Sequence, residues 1–247
     1  MPPPGLRRAF TLIELLIVIA IMVILMALLA PAFRGVTDTG NVAKAAYTLA
    51  GALESARSYA VAHNTYVWVG FHEEDASQSS PAPSGVGRVI LSTVASRDGT
   101  RIYDPDQPAA IPPARLLQVG RLERIENIHL KTAGSAGFPL GSGENGGTFD
   151  TRPVVGGPAA QIGDSSPAAS PAPFQYPVGD AATAQYVFTK VIEFSPRGEA
   201  RVNTAPLSPV LEIGLQPTHA NEVDLQSADL AAVQISAIVG NVSIFRR

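Results

Sequence analysis

Hydrophobic positions along the chain fall into three patterns, and each predicts a different element. The first is a predominantly apolar run over residues 10–33, FTLIELLIVIAIMVILMALLAPAF, with one ionisable group, Glu14, inside it. At about 1.5 Å of rise per residue, roughly 20 apolar residues cover a hydrocarbon core of about 30 Å, so this run predicts a membrane-spanning helix. A secretory signal peptide would show a shorter apolar core, roughly 7 to 15 residues, and a small-residue cleavage site at its far end. This run is longer and continues through Pro31 into helix-like sequence, so it reads as retained.

The second pattern has helical spacing. Over residues 41–62, Val42, Ala45, Ala46, Leu49, Leu53, Ala56 and Ala60 recur at three- and four-residue steps, with Lys44, Glu54 and Arg57 off the stripe. This predicts an amphipathic helix that packs on a sheet. Gly35, Asp38 and Gly40 weaken helix between the two segments and predict a bend or a melted stretch, with one continuous helix as the alternative.

The third pattern is rich in β-branched and aromatic residues and predicts strands over 65–71, 87–94, 116–119, 124–130, 186–194, 199–202, 210–215 and 231–245. Residues 73–84 are polar and contain proline, while Arg97-Asp98-Gly99-Thr100 carries an Asp-Gly hairpin signal and Ser195-Pro196-Arg197-Gly198 a second turn. Residues 141–179 are dominated by Gly, Pro, Ala and Ser, which predicts a long flexible surface loop with little to bury. The expected fold is α+β, a long N-terminal helix packed on an antiparallel sheet head, divided as 1–9, 10–33, 34–62 and 63–247.

Composition narrows the function. The 247 residues carry a formal net charge of −3, which argues against a general nucleic-acid surface. Cysteine is absent, so disulfide staples and thiolate–zinc chemistry are excluded and the head must rely on its core.

Glu14 needs compensation, because a carboxylate at the centre of a membrane helix costs roughly 2.5 to 3.5 kcal/mol on insertion scales. The leader MPPPGLRRA carries Arg7 and Arg8 and no acid, which places the N-terminus in the cytoplasm and the head on the other side. A short basic leader, a small residue, then Phe10-Thr11-Leu12-Ile13-Glu14-Leu15-Leu16 and an apolar stretch resembles the N-terminus of type IV prepilins and type II secretion pseudopilins. The resemblance implies that a prepilin peptidase cuts between Ala9 and Phe10 and methylates the new Phe10 amine. It also implies that Glu14 pairs with the Phe10 amine of a neighbouring subunit. Ala9 departs from the Gly usual before the cut, and Pro31 falls where pilins often carry a kinking proline.

Residues 53–62, LESARSYAVA, and the turn marked by Phe194, Pro196 and Gly198 are similar to the GspH-type minor pseudopilins. The implied partners are other pilin or pseudopilin subunits, the prepilin peptidase, an inner-membrane assembly platform and membrane lipid. The implied location is the bacterial inner membrane, single-pass, with a periplasmic or extracellular head.

Catalytic patterns are thin. His63, His72, His129 and His219 are scattered, and His72-Glu73-Glu74-Asp75 reads as a solvated acidic loop before it reads as a metal site. Asp98, Asp104 and Asp106 suggest calcium, but their neighbours are turn residues first. The sequence holds no G-x-S-x-G, phosphate loop or H-E-x-x-H, so neither enzymatic activity nor a cofactor is expected. Trp68, in an alternating strand with Tyr66 and the valines, reads as core or sheet-surface packing before it reads as a binding aromatic. Two other functions stay open: a DNA-uptake or surface-binding minor pilin using Arg246 and Arg247, and a signal-anchored envelope protein that never assembles.

Overall fold

The computed structural model describes residues 12–102, 112–143, 146–170, 172–179, 181–203 and 205–247, and over 27–40 and at 181 it describes the backbone alone. The chain divides into two compact units that meet between residues 39 and 40. One helix, α1 (Leu12–Ala62), opens the described chain. Its backbone stays helical through residues 35–40, so the melted segment expected there is absent. A glycine costs only about 1 kcal/mol in a helix interior, and the helix formers on both sides outweigh that.

Among the described residues thirteen strands follow: β1 (Val67–Asp75), β2 (Gly87–Ser96), β3 (Leu116–Glu126), β4 (Ile128–Lys131), β5 (Gln161–Ile162), β6 (Phe174–Tyr176), β7 (Tyr186–Phe188), β8 (Lys190–Phe194), β9 (Ala200–Val202), β10 (Val210–His219), β11 (Glu222–Val223), β12 (Ala231–Ser236) and β13 (Val242–Arg246). Among the described residues they form a five-stranded sheet in the order β3-β2-β1-β8-β9, a six-stranded sheet around β10, and the small β6-β7 pair. The pairings are antiparallel except β5 with β10. The class is α+β.

Every position of the predicted α1 stripe, from Val42 to Ala60, is buried. The stripe joins Val67, Val69 and Phe71 of β1 and Leu211, Ile213 and Leu215 of β10 in the main core. Strand alternation sends Trp68 the other way, into a second core with Phe174, Tyr186 and Phe188 on the outer face of the first sheet. Each large apolar side chain so buried stabilises by about 1.5 to 3 kcal/mol.

The segment 141–179 departs from its reading as a surface loop. Phe149, Val155 and Ile162 join the main core, and Phe174 on β6 helps to cover the first sheet. Its large apolar residues are few, and while Val154 stays exposed, Phe149, Val155, Ile162 and Phe174 are buried against the sheets. Two single-strand expectations also divide. Residues 186–194 split at Thr189 into β7 and β8, which lie in different sheets, and 231–245 fold as the hairpin β12–β13. Residues 97–100 form no tight hairpin. They start a longer connection, and β3 begins only at Leu116.

Candidate assembly site

Glu14 lies two residues after Leu12, the first described residue of α1. Around it the large apolar side chains are exposed along the whole described stretch, from Leu12 at 81 % through Ile19 at 54 % to Met26 at 72 %. An apolar surface of this extent marks contact with lipid or with partner helices. Among the described residues no helix is long and apolar enough to cross a membrane. The described side chains of the run stop at Met26, short of the roughly 20 residues a span needs. Ala9 and Phe10, the expected cleavage and methylation positions, lie outside the described residues, as do Asp104 and Asp106.

The other sequence candidates find structural roles. His72, Glu73, Glu74 and Asp75 are the end of β1, so the expected solvated loop is replaced by strand residues with partners. Glu74 is fully buried against Arg88 at 2.9 Å and accepts from the Ala82 amide at 2.7 Å, which fixes the β1–β2 connection. Burial alone would raise its pKa, but these donors outweigh burial and lower it. His72 is half-buried, and burial lowers its pKa. Asp98 accepts from the Thr100 hydroxyl and amide and from Ser96, and these hydrogen bonds hold its carboxyl well below the usual carboxylate range. Among the described residues no group of three His, Cys, Asp or Glu side chains is placed to hold a metal ion.

Trp68 is buried and donates its indole N–H to Glu193 Oε2 at 3.1 Å, and Glu193 also takes Arg101 at 3.0 Å. Burial pushes the Glu193 pKa up, with Arg101 opposing. At the C-terminus Arg246 lies 3.4 Å from Asp229 and Arg247 lies 3.9 Å from Asp150, so phosphate would have to compete with carboxylates for both.

One cluster escaped the sequence reading. A cleft of about 330 Å³ brings Glu73 from β1, His129 from β4, Asp164 from the segment after β5 and Lys190 from β8 together. The His129 imidazole sits 2.9 Å from Glu73 Oε1 and 3.5 Å from Asp164 Oδ2, and Lys131 Nζ lies 2.8 Å from Asp164. Lys190 Nζ donates to the Gly163 carbonyl and, at 3.1 Å, to that of Asp164. These bonds fasten the 163–166 segment to both sheets. No local sequence signal announces them, because the partners lie tens of residues apart.

A family model of the prokaryotic N-terminal methylation motif matches residues 6–30. No curated protein and no solved structure matches the chain. The motif match supports a pilin-like subunit that prepilin peptidase processes, and it implies a membrane-anchored chain. It covers the leader and the apolar helix and does not extend to the head, so it does not favour a GspH-type subunit over other pilin-like ones.

Proposed function

We propose that this chain is a pilin-like structural subunit of a type II secretion pseudopilus or a type IV pilus-like assembly. In this reading residues 1–9 are the leader, 10–33 the membrane and assembly helix, 34–62 its continuation into the head, and 63–247 the head. The peptidase cuts after Ala9 and methylates Phe10. Before assembly the helix spans the bacterial inner membrane once, with the head outside the cytoplasm. Its partners are other pilin or pseudopilin subunits and an inner-membrane platform, and its part is structural rather than catalytic. The turn of Phe194, Pro196 and Gly198 between β8 and β9 supports a GspH-type minor subunit within this class.

The observation that carries the reading is the methylation-motif match over 6–30, laid on a helix that contains Glu14 and whose described large apolar side chains from Leu12 to Met26 are exposed. Mechanistically, apolar helices of several subunits pack together, and the Glu14 carboxylate neutralises the Phe10 amine of a neighbour. An ion pair formed in a low-dielectric bundle is far stronger than in water, so it sets the axial register of adjacent helices. Glu14→Ala is expected to leave membrane insertion intact, because it removes a charge from the apolar run, and to abolish incorporation into the assembly. Normal incorporation of Glu14→Ala, scored by co-purification with the assembled fibre, contradicts the pairing.

A further inference from the structure

The edge strands of the two large sheets differ in how their open side is guarded. An unpaired edge is a row of backbone donors and acceptors that pairs with another chain unless charge, a bulge or a cover blocks it. β3 carries Arg121, Glu123, Arg124 and Glu126, a break in its register with β2 between Leu91 and Thr93, and a left-handed Gly120. At β9 the Ala200 amide already donates to Ala237 O at 2.7 Å. β13, the outer strand beside β12, has neither charge nor bulge over Val242-Ser243-Ile244-Phe245, and these residues are half-buried.

In an antiparallel ladder alternate residues turn both backbone groups to the same side. The Ser236 amide donates to Asn241 O and the Arg247 amide to Leu230 O, both at 3.0 Å. With the register Gln234↔Ser243 and Ala232↔Phe245, Ser243 and Phe245 therefore face β12, and Val242, Ile244 and Arg246 face outward. The Val242 amide is taken by Glu54 Oε1 of α1 at 3.1 Å. Among the described residues the backbone groups of Ile244 and Arg246 have no hydrogen-bond partner.

We propose that β13 takes an extended strand from a different pilin-like subunit, which pairs with the outward groups of Ile244 and Arg246. Backbone groups at this two-residue pitch are matched by another extended chain. At the end of the strand Arg246 lies 3.4 Å from Asp229 and Arg247 3.9 Å from Asp150, and both arginines stay partly exposed. The strand that fits carries an acidic residue opposite Arg246 and an apolar one opposite Ile244. A second copy does not supply it, because antiparallel self-pairing centred on Ile244 sets Arg246 opposite Val242. So short a pairing is weak alone and forms where another interaction holds the partners together. It therefore rests on the assembly reading above, in which the N-terminal helices supply that proximity.

Ile244→Pro removes an amide that points off the sheet and leaves the β12 ladder intact, whereas Ser243→Pro breaks a ladder bond. The Trp68 unfolding midpoint should hold in the first and fall in the second. Arg246→Pro, which removes the next outward amide, serves where Ile244→Pro lowers the midpoint. Full-length chain with photoreactive benzoylphenylalanine in place of Phe245 is irradiated in the native host membrane, and the cross-linked peptide is sequenced by mass spectrometry. A second chain carries the probe in place of Ile19 and reports helix assembly separately. The expected result is a cross-link from position 245 into one extended segment of another subunit with a prepilin-type N-terminus, lowered several-fold by Ile244→Pro and kept by Ile244→Val. A cross-link that Ile244→Pro leaves unchanged, one to lipid or to a second copy, or none while position 19 still cross-links, overturns the strand pairing and leaves the assembly reading standing. Silence at both positions overturns both. The expected cross-link from 245 without one from 19 supports the pairing and contradicts the helix-driven assembly.

Discussion

Arg152 and Glu212 form a two-pronged ion pair inside the head, with Nε at 3.0 Å and Nη2 at 2.8 Å from the two carboxylate oxygens, and both side chains are almost fully buried. The remaining donors of Arg152 reach the carbonyls of Phe149 at 2.6 Å and Pro139 at 2.7 Å, its guanidinium lies 4.3 Å from the centre of the Phe149 ring, and Gln234 donates to Glu212 at 2.6 Å. One arginine in a Gly- and Pro-rich stretch thus ties the 141–179 segment to the central strand β10. Breaking a buried pair by removing one partner costs about 3 to 5 kcal/mol, whereas replacing both by apolar residues of similar volume is close to neutral.

Arg152→Ala is therefore expected to destabilise the head by about 3 to 5 kcal/mol, and Arg152→Met with Glu212→Leu to recover most of that loss. The single tryptophan, Trp68, is buried and reports unfolding by fluorescence in denaturant. A double variant as unstable as Arg152→Ala contradicts the assignment.

Gly70 on β1 lies where a Cβ would sit 2.6 Å from Phe174 Cζ and 2.6 Å from Phe188 Cβ, so the β6–β7 pair packs directly on its backbone. Gly70→Ala should cost about 1 to 3 kcal/mol through overpacking. Gly51→Ala, on the helix with open space around it, should instead stabilise by about 0.5 to 1 kcal/mol. The same denaturant titration checks both, and equal effects would show that the Phe174–Phe188 layer does not press on β1.

Asp164 gives the head an acid-sensitive fastening. Burial alone would raise its pKa, but Lys131 at 2.8 Å, the Thr132 amide at 3.1 Å and the Ser165 amide at 2.8 Å outweigh burial and hold it well below the usual carboxylate range. A carboxyl whose pKa is lower folded than unfolded stabilises fully above the unfolded value, about 3.9, and loses that contribution as pH falls below it toward the folded value. Unfolding free energy should thus fall as the pH drops below about 4, and Asp164→Asn should lower stability at neutral pH and flatten this acid limb. An acid limb of unchanged slope in Asp164→Asn would remove Asp164 as its source.

Local periodicity made the helix legible, since the apolar steps from Val42 to Ala60 show the buried face directly, and the alternation around Trp68 marks β1 as a strand with two buried faces. What the sequence hid depends on distant partners. The 141–179 segment reads as a loop because its anchors, Phe149, Arg152, Ile162 and Phe174, are single residues in a polar, Gly-rich background, and Arg152 becomes a core residue only beside Glu212. His72-Glu73-Glu74-Asp75 reads as solvated for the same reason, since Arg88 and His129 lie elsewhere in the chain. The short methylation motif over residues 6–30 is legible because residue order carries it and no tertiary contact is needed.

The central claim is that the chain is processed and assembles through its N-terminal helix. Intact-mass and N-terminal peptide mass spectrometry on protein from the native host membrane, with and without the prepilin peptidase, tests it most directly. The account predicts a mature chain that begins at N-methylated Phe10 and forms only when the peptidase is present. A chain that keeps Met1, or an uncut Ala9–Phe10 bond under both conditions, would contradict it and leave a static anchor whose function lies in the head.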